Sequence, residues 1–234
     1  MHTELAAVQS SLYNVIRANR VIASVMRHIF MRYIPLLLAA VFVIGCSDSA
    51  DQQTAMDDSI EKALDDFKNR KIYTSLDVET LRAIPDDNLE QAIVDYVIHK
   101  MESGSDEDAV LGSLSEGNRA LWLTWIVEGE VNNGGFNQYY WNTDGRHSSE
   151  AVTSFEFFAA SQHAELMREA NSVRKQEAAA IREYGDKNTL EAFSESYKAS
   201  KLGPLDDRFY ALTEDLSALR VARIRQFPEL FTGN

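Results

Sequence analysis

The sequence predicts an all-α protein: a single helical domain of about six to nine helices, from about residue 59 to the C-terminus, behind a signal peptide and a short polar tether. Apolar residues recur at three- and four-residue spacing along the chain, and alternation of period two is nowhere sustained. With 45% hydrophobic residues over 234 positions, the chain holds enough apolar material for one core of ordinary size. Its 36 acidic and 23 basic residues leave a net charge of −13. Direct binding to nucleic acid is not expected of such a chain, because carboxylates repel the phosphate backbone. The single cysteine excludes an intrachain disulfide, a zinc site built of cysteine alone and a Cys-x-x-Cys redox pair.

Residues 1–45 read as a targeting segment. Arg27 and Arg32 form a basic start, and an uncharged apolar run follows from Tyr33 to Ile44. As a helix that run covers about 18 Å, against about 30 Å of bilayer hydrocarbon, so it suits a signal peptide and not a membrane span. Met26 and Met31 are alternative starts to Met1. The run ends in Val43-Ile44-Gly45-Cys46-Ser47, which resembles the lipobox of bacterial lipoproteins. That resemblance implies diacylglycerol on the Cys46 sulfur, cleavage before Cys46, and, with Ser47 next, anchoring in the outer membrane facing the periplasm. Loss of residues 1–45, which carry four arginines and one glutamate, takes the net charge to −16. Residues 46–58 are small and polar, as expected of a flexible acidic tether.

Ile60, Leu64 and Phe67 make the stripe of a first helix, whose other face carries Asp57, Glu61 and Asp65 at four-residue spacing. Pro85 and Asp87 open the next helix, with Glu90 in capping-box spacing and Leu89, Ile93, Tyr96, Val97 and Met101 as its stripe. Residues 102–113 read as an exposed acidic loop. A strongly apolar helix follows with Leu121, Trp122, Trp125 and Ile126, and it stops at Asn132-Asn133-Gly134-Gly135. After Phe136-Asn137-Gln138-Tyr139-Tyr140-Trp141 comes a second turn at Asn142-Thr143-Asp144-Gly145. One or two helices occupy residues 148–184, with Val152, Phe155, Phe158, Ala159 and Leu166 on one side. A shorter helix spans 189–200, and a last one runs from about Asp206 to Gln226 with Leu212, Leu216, Leu219, Ile224 and Phe227 as its stripe.

The run Glu130-Val131-Asn132-Asn133-Gly134-Gly135-Phe136-Asn137-Gln138-Tyr139-Tyr140-Trp141-Asn142 resembles the DNA-mimic protein C-terminal-domain-like family of bacteria. Gly145, the alanine-bearing helix from Ala151, Asp207-Arg208-Phe209-Tyr210 and Pro228-Glu229-Leu230-Phe231 extend the resemblance over roughly residues 84–231. It implies a helical domain and, from the founding member, an acidic surface that imitates duplex DNA and occupies a transcriptional repressor. An exported protein would not meet a cytoplasmic repressor, so the lipobox and this activity point to different partners.

The motif has two readings. Locally, glycines allow the backbone to turn, Asn side chains bond neighbouring amides and the aromatic residues fill the core. Functionally, Asn132, Asn133, Gly134, Gly135, Phe136, Asn137 and Gln138 present amides to a ligand or peptide. Catalysis finds little support. His99, His147 and His163 lack His-Glu-x-x-His spacing, and neither a Gly-x-Ser-x-Gly elbow nor a phosphate-binding glycine loop is present. Asn142, Asp144 and Gly145 fit three positions of a calcium loop, but Tyr140 and Ala151 fall where ligands are required. No metal and no cofactor is expected.

The function expected is therefore a non-enzymatic, lipid-anchored envelope protein whose acidic surface binds another protein. Candidate acidic positions are Asp57, Glu61, Asp65, Asp86, Asp87 and Glu90, with Asp106, Glu107 and Asp108 as a further group. The alternatives are a cytoplasmic DNA mimic that binds a transcriptional regulator, and an envelope hydrolase.

Overall fold

The computed structural model describes residues 65, 66, 68–102, 106–185, 187 and 189–233. The signal peptide with Cys46, the tether, Asp57 and Glu61 lie outside the described residues. Asn69 donates its backbone N–H to the Asp65 carbonyl at 2.9 Å, one helical turn.

The unit Ile72–Asn234 is all-helical among its described residues. Its elements are α1 (Val78–Ala83), α2 (Asp86–Glu102), α3 (Glu107–Ser113), α4 (Glu116–Thr143), α5 (Ser148–Phe157), α6 (Ser161–Gly185), α7 (Leu190–Ala199), α8 (Gly203–Tyr210) and α9 (Leu216–Gln226), closed by a 3-10 turn at Pro228–Phe231. A single antiparallel bridge ties the two ends of the unit: Leu76 and Gly233 exchange both backbone bonds, at 2.7 and 2.8 Å. No described helix is long and apolar enough to cross a membrane.

α4 is the central element. Leu121, Trp122, Leu123, Thr124, Trp125 and Val127 are all buried, so its first half is wrapped on nearly every side. α2 packs against it and buries Leu89, Ile93 and Val97. On the other side Val127, Val131, Phe136, Tyr139 and Tyr140 join Phe155, Met167 and Phe209 in one apolar cluster formed by α4, α5, α6 and α8.

Three expectations need correction. Residues 107–113 form a helix where a loop was predicted. Val110 and Leu111 turn inward, and Arg146 and His147 hold Glu107 (3.1 Å) and Asp108 (2.9 Å). The predicted long last helix is two, α8 and α9, because the Asp215 side chain caps a new start by accepting from Ala218 N–H at 2.9 Å. Ala159, placed with the apolar group of residues 148–184, is exposed and sits at φ +58°, in the break between α5 and α6. Alanine strains in that left-handed region, so Ala159→Gly is expected to stabilise the fold by about 0.5–1 kcal/mol in a urea titration.

The segment between α8 and α9 also secures the start of α6. The Glu214 carboxylate accepts from Gln162 N–H (2.9 Å), His163 N–H (3.1 Å), Ser161 Oγ (3.2 Å) and His163 Nδ1 (2.7 Å). The two backbone N–H groups among them are orphan donors of a 25-residue helix, met by a side chain some 50 residues downstream. Burial raises the Glu214 carboxyl, but the Gln162 and His163 donors outweigh it and hold it below its ordinary value. His163, stacked on Phe155 and edge-on to Phe209, is pushed down by burial. Both shifts act in one direction. The stability they supply is present above the unfolded values, near 4.5 for the acid and 6.5 for the imidazole, and is lost as pH falls through the lower folded ones. Thermal melts of the wild type should therefore fall steadily from pH 7 to pH 4, and Glu214→Gln should start lower by about 1–2 kcal/mol and fall less steeply.

Candidate functional site

The motif region of α4 is a hinge between two helical arms. Gly134 has extended φ (−170°), which other residues also adopt, whereas Gly135 lies at φ +75°, ψ 178°, a conformation reserved for glycine. Space enforces the choice as well: a Cβ on Gly135 would overlap the Asp206 carboxylate. That carboxylate reaches in from the first turn of α8. Asp206 Oδ1 accepts from Phe136 N–H at 2.8 Å, capping the second arm of α4 from another helix, and Oδ2 accepts from the Tyr197 hydroxyl at 2.8 Å. Burial raises the Asp206 carboxyl, and burial with the bond to Asp206 pushes the Tyr197 hydroxyl up to about 12.

The other polar motif residues also turn to the fold. Asn137 is buried and donates its amide to Ser196 Oγ at 3.0 Å, linking α4 to α7. Gln138 and Asn142 both donate to Glu130 Oε2, at 2.8 and 2.7 Å, so one buried carboxylate straddles the hinge and holds both arms. Phe136, Tyr139 and Tyr140 are core residues, and Trp141 packs edge-on against Phe193. The Tyr140 hydroxyl donates to Asn171 Oδ1 at 2.8 Å.

Asn132 and Asn133 differ from the rest. Asn132 is exposed, Asn133 is half-buried, and neither amide has a bond among the described residues. Beside them the Tyr210 hydroxyl donates to the Val131 carbonyl at 2.8 Å, leaving its ring outside. Tyr197 and Tyr210 are 40% and 54% exposed, and Asp207 is exposed between them in sequence.

The acidic positions are arranged less evenly than the sequence suggests. Asp65 and Asp87 are exposed, and Asp86, also exposed, pairs with Arg225 at 2.6 Å. Glu90 turns inward, contrary to the expected acidic face: it is 5% exposed and bonded to Arg220 Nη1 at 2.9 Å. The reason is the placement of Arg220, which is fully buried on α9 and needs a counter-charge. His99, His147 and His163 do not converge, and no group of three metal-ligating side chains occurs among the described residues.

The residues that build this region include several the sequence did not single out. Asp206 falls one position before the quoted Asp207-Arg208-Phe209-Tyr210. Arg220 shares a helix face with Leu216 and Ile224 at four-residue spacing, and a lone cation on an apolar stripe is the signal that would have found it.

Residues 112–227 match the family model described as DMP19-like protein. No curated protein and no solved structure matches the chain. The motif, the hinge it builds and the α8 carboxylate that locks the hinge all fall inside the matched span, and over residues 112–227 the chain is similar to the DMP19-like family.

Proposed function

We propose that this protein is a non-enzymatic binding protein whose acidic helical surface occupies the basic surface of another protein, as a DNA mimic occupies a DNA-binding regulator. The observation that carries this reading is the charge excess of −13 on a chain with a DMP19-like domain. A surplus of carboxylates draws cationic surfaces and speeds encounter with them. The hinge supports the same reading, because most of its polar groups are spent on holding the fold and no nucleophile and base are set together there.

The immobilised domain is expected to retain a basic protein from cell extract, and excess duplex DNA or raised salt should displace it. Retained protein indifferent to both would overturn the reading.

The run Tyr33–Ile44 with Gly45-Cys46 favours a second element of the proposal, that the domain works from a lipid anchor in the envelope. Compartment then selects the partner, a regulator in the cytosol or a basic envelope protein outside it. Palmitate labelling decides: label lost in Cys46→Ser supports the anchor, and an unlabelled wild-type chain leaves the cytosolic DNA mimic.

A further inference from the structure

Resting on that reading and deepening it, we propose that the surface over the Gly134–Gly135 hinge receives an arginine side chain of the basic partner, held by Tyr197, Tyr210, Asp207 and the Asn132–Asn133 amides. Among the described residues the exposed large apolar side chains are Ile72, Tyr197 and Tyr210, and both tyrosines are fastened at the hinge region, one to Asp206 and one to the Val131 carbonyl. Each is fastened by its hydroxyl: Tyr210 to the Val131 carbonyl, Tyr197 to Asp206, whose other oxygen takes Phe136 N–H. A ring tied at its polar tip and open on its face is already ordered for contact, so little freedom is lost on binding.

The polar groups around the rings select the ligand. Asp207 is exposed and lies one turn before Tyr210 on the same face of α8. Asn132 and Asn133 add amides that have no partner in the described fold. A carboxylate, aromatic faces and spare amide oxygens match a guanidinium, which is planar, stacks on rings and carries five donors. A phosphate or carboxylate ligand would be repelled by Asp207, and an apolar ligand would leave the amides unmet. The neighbouring Arg208 does not fill the place, since it is paired with Glu169 at 2.5 and 2.8 Å. Lysine would bring charge without the planar fork.

The probe is a glycine-spaced arginine peptide, compared with its lysine counterpart, titrated calorimetrically into the full chain at low salt. The arginine peptide should bind more tightly than the lysine peptide. Tyr210→Leu and Asp207→Asn should each weaken it about two- to fivefold. Tyr210→Phe, which keeps the ring but frees its tip, should weaken it less than Tyr210→Leu, and Glu79→Gln, an exposed carboxylate on α1, should leave it unchanged. If Tyr210→Leu fails to fold by near-UV circular dichroism, the exposed Asp207→Asn carries the test. Equal affinity for both peptides, or equal losses in Glu79→Gln and Asp207→Asn, would mean diffuse attraction: the arginine site falls and the acidic binding surface stands. Absence of binding by either peptide would overturn both.

Discussion

Arg220→Met is expected to destabilise the domain by about 3–5 kcal/mol, the range for removing one member of a buried ion pair. The guanidinium is fully buried on α9, where Nη1 donates to Glu90 Oε1 (2.9 Å) and Glu128 Oε2 (2.6 Å), and Nε donates to Thr124 Oγ1 (3.1 Å). Burial alone would lower its basicity, but Glu128 and Glu90 reverse that and keep it charged. Without it Glu90, 5% exposed, has no cation to face, whereas Glu128, about a third exposed, can turn to water. The cost therefore sits on Glu90. Adding Glu90→Leu to Arg220→Met should recover most of the loss, because an apolar pair of similar volume no longer strands a charge. Urea denaturation of the two singles and the double measures this. A single Arg220→Met that costs less than about 1 kcal/mol would show that the charges are solvated in the fold.

Gly135→Ala is expected to cost about 3 kcal/mol or more, from two separable sources. The backbone conformation at φ +75°, ψ 178° strains any residue with a Cβ, by about 1–3 kcal/mol. The added methyl also meets the Asp206 carboxylate, which cannot withdraw without releasing Phe136 N–H and the Tyr197 hydroxyl. Asp206→Ala alone leaves the Phe136 donor unmet, at about 1–3 kcal/mol. The double variant should cost less than the sum of the singles, since the clash disappears with the carboxylate while the strain remains. Strict additivity would mean that contact with Asp206 plays no part. Gly134→Ala should be milder, for its φ is ordinary and its Cβ would meet only the movable Gln138 side chain.

The helices that can be read from the residues are those whose apolar stripe is local, such as α2 and α7. Several of the failures share one physical cause, partners far away in the chain. Val110 and Leu111 are too few to announce α3, which is held by Arg146 and His147 almost 40 residues on. Glu90 looked like part of a solvated face because its counter-ion is 130 residues away. The paired glycines marked a break correctly, yet nothing local says that the helix resumes at once, because the group that caps the new arm is Asp206. The Asn–Gly motif was legible as a feature, and its division into inward Asn137 and Gln138 and outward Asn132 and Asn133 depends on which neighbours α7 and α8 supply.

The bond from Phe136 to Asp206 joins positions 70 residues apart. During synthesis the arm formed by residues 136–143 leaves the ribosome long before the carboxylate that aims it, so the hinge stays unset through the emergence of α5, α6 and α7. The middle of this domain thus matures late, and a nascent chain stalled short of Asp206 offers a half-assembled core to chaperones and proteases.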